Sequence, residues 1–272
     1  MIKITGIVLT HNNADVVENC LRSMAWLDEL IVIDSNSTDQ TIELARRHGA
    51  QVFTRSLDNF AAQRNFALTK IRNYWVIFVD SDERISFELR QAIIHLDPGN
   101  HRAFQFQWRS IFLGKAYRYG GWQNEYHTRL LNKQYCTYVN PIHEELTING
   151  STGTLPGVIF HFSHRSIETN MYKTVQYAKL QSDEMLRTNF KRISRWNLTW
   201  AVLHHFYYRY IRMQGYKDGM EGFIEAVYQA FSQIFVIRAM LWEKQRGKSV
   251  DDIYRTLDQR LIENDFHDHA LR

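Results

Sequence analysis

The sequence predicts an α/β protein: a parallel sheet covered on both faces, followed by a mainly helical C-terminal extension. Three observations carry this. Over the first hundred residues, short apolar runs alternate with segments of helical period. The runs are apolar throughout rather than alternating with polar residues, as strands buried on both faces require. After residue 190 the strand pattern stops, and long segments rich in Trp, Tyr, Phe, Lys and Arg take its place.

The elements follow in order. "IKITGIVLT" is a central strand that ends at Thr10-His11-Asn12-Asn13. Asp15, with Glu18 three residues on, resembles a capping box, and Val17, Leu21 and Met24 share one helical face. "LIVIDS" is a second strand, ending in Asp34. Asp39 is placed to cap the helix "QTIELARRH", which Gly49 closes. "QVFT" is a short third strand, "FAAQRNFALTKI" a helix and "YWVIFVD" the fourth strand. Ser86 caps "FELRQAIIHL", where Leu89, Ala92, Ile93 and Leu96 line one side.

In open α/β sheets, ligands bind outside the carboxyl ends of the strands. Thr10, Asp34 and Asp80 each stand where a strand ends, so three polar groups from separate strands can converge there. Asp80 and Asp82 cannot both stay ionised in a cleft unless a cation is near. Hard oxygen ligands of this kind suit Mg²⁺ or Mn²⁺, with phosphate oxygens completing the shell. The chain has no Gly-x-Gly-x-x-Gly and no Gly-x-x-x-x-Gly-Lys-Ser/Thr, which disfavours dinucleotide enzymes and P-loop NTPases.

Composition narrows the setting. Two cysteines, Cys20 and Cys136, imply no disulfide framework and a reducing compartment. The N-terminus does not read as a signal peptide, so a cytoplasmic location is expected. Residues 187–248 hold eleven Lys/Arg against four Asp/Glu, an excess of +7 within a total of +4, so the rest sums to −3. A basic, aromatic C-terminal third suggests a polyanionic partner, a membrane face or a nucleic acid. Trp200, Leu203, Tyr207 and Tyr210 fall on one helical face. Residues 223–242 approach spanning length, but Glu225 and Arg238 interrupt them, and Glu221, Glu225, Gln229 and Gln233 form a polar stripe. That pattern fits a helix in the membrane interface, or one packed on a partner or a second subunit, better than one that spans.

"GIVLTHNNADVVENCLRSM", "LIVIDSNSTDQTIELARRHGAQVF", "FAAQRNFAL" and "VIFVDSDE" resemble, in order and spacing, the motifs of glycosyltransferase family 2 with its GT-A fold, a Rossmann-like nucleotide-diphospho-sugar transferase domain. "FLGKAYRYGGWQNEYHTRLLN", "IHEEL", "FHFSHRSIETNMYKTVQYAKL" and "MQGYKDGMEGFIEAVYQAF" are similar to the branch that adds glucose to the inner core of bacterial lipopolysaccharide. The resemblance covers about residues 2 to 245. It implies a transferase domain over 1–190, with a nucleotide-sugar half (1–100) and an acceptor half (101–190), then a helical region over 191–272.

The resemblance also implies roles. Thr10 and Asn12 would meet the nucleotide, Asp34 the uracil or ribose (the usual second acid is replaced by Ser35), and Arg64 the base or pyrophosphate. Asp80 and Asp82 match the Asp-x-Asp that holds the divalent metal and the sugar nucleotide. Glu125 and Glu144 are the two candidates for the base that deprotonates the acceptor hydroxyl in an inverting displacement. His143 is a candidate third metal or pyrophosphate contact, and Trp122 a candidate platform for a sugar face. The implied partners are a UDP-sugar donor, UDP-glucose for this branch, and a lipid-linked glycan at the inner face of the cytoplasmic membrane. A polyprenyl-phosphate acceptor is the alternative within the enzyme class. A non-catalytic protein binding nucleic acid or membrane is disfavoured, because the Asp80/Asp82 pair repels phosphate without a metal.

Overall fold

The computed structural model describes residues 2–139, 145–164 and 166–263. Four parallel strands form the start of the chain: β1 (Ile4–Thr10), β2 (Glu29–Asp34), β3 (Gln51–Thr54) and β4 (Trp75–Phe78), in spatial order β3-β2-β1-β4. The helices between them are α1 (Val17–Ser23), α2 (Thr41–Arg47) and α3 (Phe60–Lys70). The predicted parallel sheet is therefore present. Period-two alternation divides its side chains between two cores. Ile4, Val8, Val32 and Ile77 pack with α1, while Ile7, Ile31, Ile33, Val76 and Phe78 pack with α3.

Past β4 the sheet turns antiparallel. The following elements are β5 (Glu83–Ile85), α4 (Phe87–Ile94), β6 (His101–Phe112), β7 (Lys115–Ala116), β8 (Tyr126–Asn132), β9 (Cys136–Val139), β10 (Glu145–Ile148) and β11 (Ser151–His164). β8 pairs with β4 and β6, and β11 lies between β6 and β5. Gly157 permits a close approach here: at φ +91 it sits where a Cβ would lie 2.3 Å from the Leu89 backbone nitrogen.

Two local signals resolve differently from expectation. Ser86 caps α4 through Leu89 N–H, as the sequence indicates. The N-cap of α1 is Val16, without a side-chain cap, so Asp15 does not form the expected capping box. Asp39 does serve α2, accepting from Thr41 N–H at 3.0 Å, although Gln40 is the N-cap residue.

The chain divides into two compact units, residues 1–118 with 122–163, and residues 119–121 with 164–272. The division comes near residue 164 rather than the expected 190. The reason is α5 (Ile167–Arg187), which packs with the later helices: Thr174 Oγ1 lies 2.7 Å from the Tyr228 hydroxyl, and Lys244 reaches Ser182 and Asp183. The second unit also contains α6 (Arg195–Tyr207), a π-helical turn (Tyr208–Arg212), α7 (Gly219–Gln229), a second π-helical stretch (Ala230–Val236), α8 (Ile237–Lys244) and α9 (Val250–Glu263). The first π turn shifts the helical phase. Tyr210, expected beside Trp200, Leu203 and Tyr207, instead stacks on Phe206 at 5.3 Å.

Candidate active site

The site is built where β4 ends. Its apolar strand is buried among neighbours on both sides, and Asp80 and Asp82 follow just past its end. Their side chains are 32% and 29% exposed, so both carboxylates reach solvent beside a closed core.

Asp80 faces two guanidiniums. Arg129 Nη2 stands 3.0 Å from Oδ2, and Arg64 Nη2 3.5 Å from Oδ1. Burial opposes the charge, but Arg129 and then Arg64 outweigh it and hold the carboxyl down at about 2. Behind it, Glu83 is fully buried and accepts from Asp80 N–H at 2.8 Å. Burial first, and then the Asp80 charge, push the Glu83 carboxyl up to about 8.

Arg64 comes from α3 and is itself buried, its guanidinium lying over the Phe78 and Tyr138 rings. Arg129 was not singled out in the sequence, and a bulge explains why. The register between β6 and β8 jumps from Phe104–Leu130 to Gln105–Thr128, leaving Arg129 opposite no residue. Such a bulge bends the strand and re-aims one side chain, here onto Asp80.

Asp82 meets a second unforeseen group. β11 runs antiparallel to β5 with His161 opposite Glu83, which brings His161 Nε2 to 3.7 Å from Asp82 Oδ2. Burial disfavours the charged imidazole, yet Asp82, with Glu83 and Asp80, outweighs it and raises its pKa. Trp108 of β6 ties the cluster together. Its ring stacks on His161 at 4.5 Å, meets His127 at 3.8 Å, and lies under Arg129 at 5.2 Å.

Glu125 joins through His127, with Oε1 3.3 Å from Nε2. Its Oε2 is buried and has no hydrogen-bond partner among the described residues. Glu144 and His143 lie outside the described residues. Trp122 is half-buried in a single 3₁₀ turn, Trp122–Asn124, just ahead of Glu125.

Thr10 and Asp34 are neighbours in the β1–β2 register, and Thr10 Oγ1 donates to Asp34 Oδ1 at 2.9 Å. Asp34 has 0% exposure, and its remaining bonds go to Ser37 N–H and Oγ. It thus organises the loop after β2. Asn12 works from outside: in the left-handed conformation (φ 53) it donates through N–H to Ser37 Oγ and accepts from Thr38 N–H. Of the three strand ends expected to converge, two fold onto each other and the third, at Asp80, gathers charged partners from β8, α3 and β11.

The donor set can be judged for a metal. Among the described residues no three His, Cys, Asp or Glu side chains are grouped to hold an ion unaided. Two part-exposed carboxylates with an imidazole alongside fit a Mg²⁺ or Mn²⁺ site whose other ligands come from phosphate.

The family model described as glycosyl transferase family 2 matches residues 5–163. An uncharacterised glycosyltransferase of Rickettsia prowazekii (strain Madrid E) is 27% identical over 249 residues, covering 86% of this chain and 85% of its own. The lipopolysaccharide core biosynthesis glycosyltransferase LpsC of Rhizobium meliloti (strain 1021) is 23% identical over 262 residues, with 92% and 96% covered. Among solved structures, S. aureus TarS 1–349 aligns over 90% of this chain and 92% of its own, at 15% identity and a TM-score of 0.44.

Proposed function

Because the chain belongs to glycosyltransferase family 2, we propose that it moves glucose from UDP-glucose, with inversion, onto a lipid-linked glycan such as the lipopolysaccharide inner core. The observation that carries this reading is the Asp80/Asp82 pair at the end of β4, half in solvent and ringed by Arg129, Arg64 and His161. The acceptor class is supported by the lipopolysaccharide role in the name of the Rhizobium relative. A lipid-linked acceptor implies work at the inner face of the cytoplasmic membrane, and no described helix is long and apolar enough to cross it.

Asp82 and Asp80 would hold the divalent ion, with His161 beside Asp82; His143 is a further candidate. Bound there, such an ion neutralises charge developing on a diphosphate leaving group. The chain's own residues do the rest. Arg129 and Arg64 keep Asp80 ionised and fixed. Asn12 and Asp34 hold the loop over residues 35–38, which forms the neighbouring part of the sheet edge, next to Thr10. Trp108 keeps His127 and His161 in place, and Trp122 offers an indole near Glu125. Glu125, with one unpartnered oxygen, takes the acceptor proton, and Glu144 is the competing base. In-line attack on an α-linked donor then gives a β-linked product.

The experiment is a donor screen. UDP-sugars with Mn²⁺ should raise the melting temperature, UDP-glucose most. Radiolabelled UDP-glucose with membrane extract should give a β-glucosylated lipid product. No thermal shift with any UDP-sugar in the presence of metal would overturn the donor assignment, and an α-linked product would overturn inversion.

A further inference from the structure

The helical unit turns its apolar residues outward. α6 buries none of its residues. Along it and the π turn, Trp196, Trp200, Leu203, Tyr207 and Ile211 recur every three or four positions and are all exposed, Trp196 at 76% and Trp200 at 70%. α7 and the stretch after it are inverted in the same sense. Glu225, Gln229 and Ser232 are buried, while Val227, Phe231 and Phe235 face out. A helix on the surface of a water-soluble protein normally does the reverse. Between the two lies an apolar groove of about 490 Å³, lined by Val202, Leu203, Phe206, Val227, Phe231 and Phe235.

The charge around this face has one sign. From Lys191 to Lys217 the chain carries six Lys/Arg and no Asp/Glu. Lys191, Arg192 and Arg195 are exposed at one end of α6, and Arg212 and Lys217 at the other. We propose that this face docks on an anionic phospholipid bilayer, with Trp196 and Trp200 in the interface and an acyl chain in the groove. Tryptophan and tyrosine favour that level of a membrane, because the ring is apolar and its tip is polar. Basic residues bracketing the stripe are attracted to anionic headgroups. A second copy of this chain fits the face less well, since a two-fold contact sets the same basic rim against itself. The inference deepens the proposed function by naming its membrane surface, and its test requires no sugar transfer.

The full chain is floated with vesicles of phosphatidylethanolamine and phosphatidylglycerol, with pure phosphatidylcholine vesicles as control. Binding should be at least about tenfold weaker to the neutral vesicles and should fall as salt rises. Trp196→Ser/Trp200→Ser should lose roughly tenfold in vesicle affinity, with melting temperature and UDP binding unchanged. Vesicles with brominated acyl chains should quench tryptophan fluorescence in the wild type, and Phe231→Glu should suppress that quenching. If the double tryptophan variant floats like the wild type, the proposal is wrong. It is equally wrong if the wild type is a dimer in solution that Trp200→Ser converts to monomer, because then a second copy covers the face. Vesicle binding without any UDP-sugar binding would leave docking intact and refute the UDP-sugar donor instead.

Discussion

At the end of β4, two carboxylates, two guanidiniums and an imidazole stand over a core of aliphatic side chains. Along α7, a carboxyl and an amide are buried while valine and phenylalanine face outward. The two arrangements place charge and apolar surface oppositely, and two acids, the part-exposed Asp80 and the buried Glu225, bring out the difference. Asp80 stays ionised far into acid because Arg129 and Arg64 outweigh its burial. For Glu225, burial dominates over the Gln229 bond and the Arg209 charge, and its carboxyl is pushed up to about 7. Charge is maintained where a charged ligand is expected and suppressed where the surroundings are apolar. The contrast teaches that each surface has to be read against what it meets, and four measurements can break or sharpen it.

The largest effect is expected at the carboxylate pair. Asp82→Asn should remove all measurable transfer while circular dichroism stays native, because the side chain is part-exposed and outside the core. EDTA should do the same to the wild type. Full activity in EDTA would leave the carboxylates as a structural cluster, and the comparison would lose its functional half.

Next comes Glu125→Gln. Loss of a positioned base should lower kcat by about 10²- to 10⁴-fold, with little change in donor affinity by calorimetry. A normal rate would move the role to Glu144.

The third effect is in stability. An acid whose folded pKa is raised binds its proton more tightly when folded. Its contribution is therefore full below the unfolded value of 4.5 and lost as pH rises through about 7. Chemical denaturation should show wild-type stability falling across that window, with about 2–3 kcal/mol of the fall belonging to Glu225. Glu225→Gln should make the fall shallower by that amount and leave the part that belongs to Glu83, whose carboxyl is likewise raised, to about 8. Asp80 runs the other way: its contribution is present above the ordinary carboxylate value and disappears only as pH falls toward about 2. An unchanged slope in Glu225→Gln would mean that Glu225 is not held neutral.

The smallest effect should be Trp200→Ser on stability, within about 0.5 kcal/mol, as for surface positions generally. By contrast Phe78→Ala, in the sheet core, should cost about 3–5 kcal/mol. Were Trp200 to cost as much, the outer face would be packed in solution, and the two regions would follow one rule.

The sequence alone determined what depends on near neighbours. Apolar runs specified β1, β2 and β4, because a strand buried on both faces carries few polar residues; β3, at the sheet's edge with Gln51 and Thr54 exposed, rested on the strand-helix alternation. Ser86 declared the start of α4 through a hydroxyl that needs only the amide three residues on. Asp80 and Asp82 were legible as charge directly after a buried strand, at the sheet's edge, although Glu83 beside them turns inward. Tertiary structure decided the rest. Arg129 reaches Asp80 through a bulge, and His161 reaches Asp82 through the β5–β11 register; both depend on pairings between distant segments. Thr10 and Asp34 could be placed at one edge, but only their register turned them toward each other and away from solvent. In the C-terminal third, helical period revealed two-faced helices without saying which face is inside. Periodicity fixes the angle between polar and apolar stripes, whereas the choice of buried face belongs to whatever each stripe packs against.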